Sequence, residues 1–164
     1  MRHLLRCSTI ATSLFLTALT PAVAQQSAPP PAPAPGTSGT YVLGGELAKQ
    51  LKASIAQPAD PAVAEIAANN QYQIHEVHRG KVGPAAVHHG WTELHFILEG
   101  SGTLVTGGKI ASSPTGNIIE GGVSREVKKG DAIVIPSETP HWYSKVDGNV
   151  KYLEVRFVAP TDPK

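Results

Sequence analysis

The sequence is organised around residues 84–100, which read PAAVHHGWTELHFILEG. This stretch places three histidines and one carboxylate within eight residues: His88, His89, Glu93 and His95. Val87 before Gly90 and residues 94–98 after it are the β-branched, aromatic and aliphatic types that favour strands, and glycine is typical of the turn between two strands. The stretch therefore predicts a strand, a tight turn and a second strand that carry candidate metal ligands.

A second stretch, residues 130–141, reads GDAIVIPSETPH and contributes one more histidine, His141. The two stretches together resemble the paired motifs of the cupin superfamily. In the first motif, G-x5-H-x-H-x(3 or 4)-E-x6-G, His88, Glu93 and Gly100 stand at the required separations. In the second motif, G-x5-P-x-G-x2-H, the matching residues are Gly130, Pro136 and His141, and Glu138 replaces the inner glycine.

The first motif departs from the family pattern at one ligand. Ala86 stands where the first histidine of H-x-H is expected. His89 could instead be the second histidine, with the shorter spacer, and its missing partner would then be Val87. We prefer His88, because its four-residue gap to the Thr-Glu pair is similar to the germin type of the motif. Either alignment lacks one member of the usual set of three histidines and one carboxylate.

The predicted hairpin suggests a replacement for the missing ligand. If His88 faces Glu93 across the turn, then Ala86 faces His95, because side chains repeat every two residues along a strand. His95 would then share the face of Glu93 and fill the space that the small Ala86 leaves. This expectation depends on the register, since a slip of one residue would reverse every side chain.

The resemblance covers residues 72–158 and implies an all-β fold, the double-stranded β-helix or jelly-roll barrel, with a metal near its middle. His141 would approach the metal from a facing strand. The expected ligands are then His88, Glu93, His95 and His141, while His89 is expected to be exposed or to support a ligand. Imidazole and carboxylate ligands suit a divalent first-row metal such as Fe, Mn, Zn, Ni or Cu. Coordination positions that the protein leaves open are typical of catalytic sites.

Short strands separated by glycine- and proline-bearing turns continue through the second half of the chain, as in a barrel or sandwich. Residues 107–116, which include Pro114, predict a surface loop. The predicted strands are residues 72–79, 85–89, 93–99, 102–106, 118–123, 124–128, 132–135, 141–145 and 150–158.

The residues before the barrel fall into three predicted segments. Residues 1–24 have a basic start, a short apolar run and the sequence Ala-Val-Ala, which together predict a cleaved signal peptide. Residues 25–39 are a proline- and alanine-rich linker. Residues 40–71 predict one or two short helices, at 43–56 and 62–68, the first because leucines and an isoleucine recur every four residues. These helices are expected to cover a sheet edge or to contribute to a homodimer contact.

The composition excludes several classes of function. The only cysteine lies in the predicted signal peptide, so the exported chain would have neither disulfides nor thiolate chemistry. That chain would carry 12 basic and 13 acidic residues, which favours neither nucleic acid nor a membrane surface as partner. No segment is long enough for a stable membrane span. We expect a periplasmic or secreted protein whose partner is a small-molecule substrate or ligand.

Three functions remain open at this point. The first is a metal-dependent enzyme, and the resemblance implies a dioxygenase, an isomerase or a lyase. In such an enzyme Glu93 or Tyr143, which shares the face of His141, could move a proton. The second is an exported binding module that holds a small molecule or sugar without chemistry, which the altered first motif favours. The third, a structural or storage role, has little support in a short chain.

Overall fold

The computed structural model describes residues 39–158, and the predicted signal peptide and residues 25–38 of the predicted linker lie outside this range. Within it the chain forms one helix followed by eight strands. Their bounds are α1 Gly44–Ile55, β1 Ala62–Ala68, β2 Tyr72–Arg79, β3 Thr92–Thr106, β4 Lys109–Ser113, β5 Gly116–Glu120, β6 Val123–Lys128, β7 Ala132–Ile135 and β8 His141–Phe157.

Two long antiparallel strands, β3 and β8, form the centre of the fold. They pair from Thr92↔Phe157 to Thr106↔His141, with register shifts after Ile97, Gly100 and Thr103. Such bulges bend a strand, so one strand can serve two parts of a barrel. The first part of β3 also pairs with β7 and the last part with β6, while β1 and β2 extend the sheet beyond β8. The all-β barrel expected from the resemblance is confirmed.

Helix α1 confirms the first predicted helix. Of its four-residue repeat, Leu51 is buried and Leu47 is partly buried against Ala62 and Ala64 of β1. The helix therefore covers one end of the sheet through a narrow apolar stripe. Among residues 39–158, no helix combines the length and apolar character that crossing a bilayer would require.

The second predicted helix is wrong, because Ala62–Ala68 forms strand β1. It pairs with β2 from Ala62↔His78 to Ala68↔Gln73. Burial alternates at its start, where Ala62 and Ala64 are buried and Val63 between them is exposed. Sheet pairing here overrides the helix propensity of alanine, which is a weak preference.

The predicted hairpin around Gly90 is also wrong, and with it the pairing of Ala86 with His95. Residues 85–89 do not form a strand, and Ala86 makes an isolated bridge to His141 instead. His95 pairs with Ile133 of β7 and Glu154 of β8. The physical reason is that β7 and β8 flank this part of β3 on both sides, which leaves no edge for another strand.

Several predicted boundaries also differ. The predicted strands at 93–99 and 102–106 are one bent strand, β3, and those at 141–145 and 150–158 are one strand, β8. The predicted loop at 107–116 contains β4, which forms a hairpin with β5. The predicted strand at 118–123 ends at Glu120, and β6 begins at Val123.

The two motif glycines provide a test of how tightly β3 and β8 pack. Gly100 has φ +76° and Gly130 has φ +95°, conformations that favour glycine. A Cβ on Gly100 would lie 1.9 Å from the carbonyl oxygen of Asn149, whereas a Cβ on Gly130 would meet no described atom within 4 Å.

We expect Gly130→Ala to lower the free energy of unfolding by about 1–2 kcal/mol, for backbone strain alone. We expect Gly100→Ala to cost roughly 4 kcal/mol or more, because backbone must also move. Urea unfolding of both variants tests this, and equal losses would contradict the close approach.

Candidate metal centre

Adjacent inward positions of β3 and β8 place four ionisable side chains together inside the barrel. Glu93 and His95 are alternate residues of β3, so they face the same side. In the register of the sheet, Glu93 pairs with Arg156 and His95 pairs with Glu154. Glu93 and His95 are each 1% exposed and Glu154 is 6% exposed. Buried charges of this kind require partners, because an isolated buried charge is costly.

Two further histidines reach this cluster from the start of β8 and the loop before β3. His141 is the first residue of β8, and its backbone exchanges hydrogen bonds of 2.9 and 3.0 Å with Ala86. That bridge fixes the loop two residues before His88. The carbonyl of His88 also accepts a hydrogen bond from the backbone N–H of Glu138, at 3.3 Å. The bridge that replaces the predicted hairpin thus brings His88 and His141 together.

Glu93 lies at the centre of the other three predicted ligands. His88 Nε2 is 3.3 Å from Glu93 Oε1, and both His141 Nε2 and His95 Nε2 approach Glu93 Oε2, at 3.4 and 3.2 Å. The candidate ligand atoms form two groups, each with its members within 4.8 Å of one another. The outer group is His88, Glu93 and His141; the inner group is Glu93, His95 and Glu154.

The outer histidines present lone pairs, not protons, to Glu93. His141 Nδ1 lies 3.3 Å from the carbonyl oxygen of Thr139, which can only accept, so Nδ1 carries the hydrogen and Nε2 of the neutral ring does not. His88 Nε2 accepts from Arg156 Nη2 at 3.2 Å, since a guanidinium can only donate. Hydrogen bonding of the other ring nitrogen is how proteins commonly orient a metal-binding histidine.

The pKa values of His88 and His141 are shifted in the opposite direction from that of His95. Burial lowers the pKa of His141 to about 4 against the attraction of Glu93, and burial also lowers the pKa of His88. Both rings are therefore neutral at pH 7, the form that binds metals. Burial opposes the proton on His95 too, but hydrogen bonds to Glu154 and Glu93 outweigh it and raise that pKa. His95 is thus a proton-bearing partner of two carboxylates.

Glu93 itself is suited to a cation. Burial raises its pKa, but the hydrogen bond from His95 and the charge of Arg156 lower it further than burial raises it, so the group is a carboxylate. Among the described residues, its buried Oε1 has no hydrogen-bond partner of good geometry, although Arg156 Nε lies 3.0 Å away. The acceptor atoms of His88 and Glu93, 3.3 Å apart, need a cation beside them, and in this structure Arg156 provides it. Two imidazoles and one carboxylate therefore fit a divalent first-row metal.

A family model described as "Cupin domain" matches residues 73–156, about half of the chain. This protein is a cupin. No curated protein sequence matches it.

Three solved structures illustrate what the cupin resembles. The hydroxypropylphosphonic acid epoxidase from S. wedmorenis in complex with fosfomycin is 17% identical, with 58% of this chain and 50% of that chain covered and a TM-score of 0.47. Cobalt(II) HppE in complex with substrate is 16% identical, with 62% and 56% covered and a TM-score of 0.48. A putative mannose-6-phosphate isomerase from Ralstonia eutropha JMP134 is 15% identical, with 63% and 89% covered and a TM-score of 0.48. The cupin spans about half the length of the first two. These likenesses give no role to any of its residues.

Three residues of the cluster were missed by the sequence analysis: His75, Glu154 and Arg156. Glu154 Oε2 lies 3.2 Å from His75 Nδ1, and Glu154 Oε1 accepts from Arg156 Nη2 at 3.2 Å. Burial raises the pKa of Glu154, but hydrogen bonds from His75 and His95 and the charge of Arg156 lower it more. The available signal was the alternation in Tyr152-Leu-Glu-Val-Arg-Phe157, where charged residues share the face of the buried Tyr152.

Tyr143 lies inside the barrel on the far side of His95 from Glu93. Its hydroxyl is 3.2 Å from His95 Nδ1, its ring is stacked on Tyr152, and the Arg79 guanidinium lies 5.1 Å from its ring centroid. Burial raises the pKa of Tyr143, so its hydroxyl keeps its proton at neutral pH. In this position Tyr143 orients His95, and its predicted role in proton transfer stays a prediction.

The exposed His89 is paired with Glu138, the residue that replaces the motif glycine. Glu138 has φ +63°, in the left-handed region. Its carboxylate bonds to His89 and accepts from the backbone N–H of Gly90 at 3.0 Å. The His89 side chain is 78% exposed, which agrees with the expectation that His89 is not buried in the site. Glu138 instead ties the His88 loop to the turn before His141.

Lowering the pH from 7 to 5 is expected to destabilise the metal-free cupin. His141 has a pKa of about 4 in the folded chain against 6.5 ordinarily, so the unfolded chain binds a proton in this range that the folded chain does not. Each pH unit below 6.5 then removes up to about 1.4 kcal/mol, and His88 acts in the same direction. The raised pKa of His95 adds stability as the pH falls towards 6.5 and adds little more below it, so it offsets only the first part of the loss.

Urea unfolding at pH 7, 6 and 5 checks this, with His141→Gln as the matched variant. The variant should lose less free energy of unfolding between pH 7 and 5 than the wild type. An unchanged or rising wild-type stability towards pH 5 would contradict the burial of a neutral His141.

Proposed function

We propose that this cupin is a divalent-metal-dependent enzyme that acts on a small organic molecule. The observation that carries the proposal is the convergence of two unprotonated imidazole nitrogens, His88 Nε2 and His141 Nε2, on the buried carboxylate of Glu93. Two histidines and one carboxylate with open positions are typical of non-haem Fe(II) oxygenases. Fe(II) is therefore our first choice among Fe, Mn, Zn, Ni and Cu.

The proposed ligands are three of the four expected from sequence. His95 has both ring nitrogens beside protein groups, with Nε2 near Glu93 and Glu154 and Nδ1 near the Tyr143 hydroxyl. Its raised pKa favours a proton where a metal needs a lone pair. We therefore propose that His95 holds the Glu93 carboxylate in position as a hydrogen-bond donor and stays outside the coordination of the metal.

The inner group of Glu93, His95 and Glu154 is a weaker candidate for the metal. Arg156 already compensates the charge of Glu154, with its Nε 3.2 Å from Glu154 Oε2, and His75 Nδ1 lies 3.2 Å from the same oxygen. A divalent ion there would have to displace the proton of His95 and the hydrogen bonds that Glu154 makes with His75 and Arg156. The inner group acts instead as a charged hydrogen-bond network beneath the metal.

The chemistry divides between the metal and the surrounding side chains. When bound, the metal would act as a Lewis acid and offer open positions to substrate oxygens or O2. His141 and Glu93 are buried, and they keep bulk water from one side of the centre. His95 Nε2 lies 3.2 Å from Glu93 Oε2 and 3.6 Å from Glu154 Oε1, so a proton on this nitrogen can compensate a change in charge at Glu93.

The reaction class is proposed as a dioxygenase, isomerase or lyase, and turnover separates these from the alternative of a binding module. Protein reconstituted with Fe(II) without oxygen, then exposed to phenolic, diketone and carbonyl compounds with and without O2, should convert at least one of them. His141→Ala treated in the same way is the matched inactive control. Compounds that bind the loaded wild type and return unchanged would favour the binding module.

We also propose that the protein acts in the periplasm or outside the cell. The support is the signal-peptide pattern of residues 1–24, which lie outside the described residues. A mature N-terminus at Gln25 in protein from its native source tests this, and an intact Met1 would contradict it. A homodimer stays a prediction of the sequence analysis.

A further inference from the structure

His88 and Arg156 are the most exposed side chains at the proposed metal centre. The side chains of Glu93 and His95 are 1% exposed and that of His141 is 7% exposed. Those of His88 and Arg156 are 30% and 23% exposed. A molecule that approaches the centre from solvent therefore meets His88 and Arg156 before it meets the buried ligands.

Metal binding removes one of the acceptors of Arg156. Arg156 Nη2 donates to His88 Nε2 at 3.2 Å, and a metal on His88 needs the same lone pair. The remaining hydrogen bond of Nη2, to Glu154 Oε1 at 3.2 Å, keeps the guanidinium beside the centre. Binding of the metal thus leaves a charged N–H donor next to the open coordination positions, and a donor of this kind is costly to leave unpaired.

The charge of the loaded centre points to the kind of group that completes it. Glu93 and Glu154 carry two negative charges, and Arg156 with a divalent ion carries three positive charges. The sum is therefore one positive charge. A neutral ligand would leave this charge in a largely buried site, whereas a carboxylate would balance it.

We propose that Arg156 binds a carboxylate of the molecule that occupies the open metal positions, so that the substrate class is a small carboxylic acid. This inference rests on the proposed metal centre. A guanidinium fork matches the two oxygens of a planar carboxylate, and such charge-assisted hydrogen bonds are about twice as strong as neutral ones. Arg156 is then a specificity-determining residue that contacts the ligand.

The test uses the Co(II)-loaded full protein, with acetate and its neutral analogue acetamide as probes of the visible spectrum. Arg156→Gln should weaken acetate binding about tenfold or more, the loss typical of a hydrogen bond to a charged group. It should leave acetamide binding unchanged. Arg156→Lys should recover part of the acetate affinity. The matched control is Arg125→Gln, an exposed arginine on β6, a strand that contributes no residue to the proposed centre.

Co(II) affinity provides a second readout with the opposite sign. Removal of the guanidinium removes a cation that repels the metal and competes for His88, so Co(II) should bind Arg156→Gln at least as tightly as wild type. Equal acetate affinities in wild type and variant, or a joint loss of acetate and Co(II) affinity in both Arg156 variants, would overturn the inference. A wild type that takes up no Co(II) would show a different failure, that of the proposed metal centre, and the inference would fall with it.

Discussion

Glu93→Gln is expected to abolish divalent-metal binding at micromolar metal concentrations. The substitution keeps the size of the side chain but removes the negative charge that the outer histidines His88 and His141 share. The N–H groups of the amide can also donate to the histidine lone pairs, which would then not be free to bind a metal. Loss of an outer-sphere partner typically costs roughly 10–100-fold in metal affinity, so we expect this direct ligand to cost more than about 100-fold.

Isothermal titration with Co(II) or Mn(II) measures this effect. Glu99→Gln is the matched control, because Glu99 is on the same strand but its side chain is 62% exposed and paired with Lys151. The control should bind metal like the wild type. Metal affinity within threefold of wild type in Glu93→Gln would remove both candidate groups, since Glu93 is the residue they share.

His141→Ala and His95→Gln are expected to separate the two groups. His141 belongs to the outer group and His95 to the inner group. If the metal binds the outer group, His141→Ala should lose more than about 100-fold in affinity, whereas His95→Gln should lose no more than the roughly 10–100-fold of an outer-sphere partner. His89→Ala should bind nearly as well as wild type, because its side chain is exposed and faces Glu138.

The losses of metal affinity in the three variants, compared by the same isothermal titration, identify the group that binds the metal. A greater loss in His95→Gln than in His141→Ala would place the metal in the inner group. Equal losses in His89→Ala and His141→Ala would favour the shorter motif spacing, with His89 as a ligand. Circular dichroism of each variant shows whether a loss follows from unfolding.

The paired motifs predicted the fold and most of the cluster for a physical reason. Alternation along a strand requires Glu93 and His95 to share a face, whatever the neighbouring strands are. The spacing of the second motif placed His141 after a turn that leads back to that face. Residue spacing within one strand and its turn is local, so the sequence was sufficient to predict it.

The pairing of Ala86 with His95 could not be predicted in the same way. Residues 85–89 were predicted to form a strand, yet both edges of this part of β3 are occupied by β7 and β8. Which strand takes an edge depends on residues far apart in the sequence. The same limit explains the error at Ala62–Ala68, where pairing with β2 decides the structure.

The contacts of Glu154 with His75 and His95 were missed because these residues come from three strands. His75 is on β2, His95 on β3 and Glu154 on β8, and they meet only through the registers of β2 with β8 and β3 with β8. The sequence shows that charges alternate near the end of β8, but not which side chains compensate them. The separation of the four predicted ligands into two groups likewise depends on this network.

The most direct test of the central claim is anomalous diffraction from crystals loaded with Co(II), recorded on both sides of the cobalt absorption edge. The account predicts one anomalous peak, roughly 2.0–2.3 Å from His88 Nε2, His141 Nε2 and a carboxylate oxygen of Glu93. A peak between His95 and Glu154, or none at these residues in crystals soaked to saturation, would contradict it.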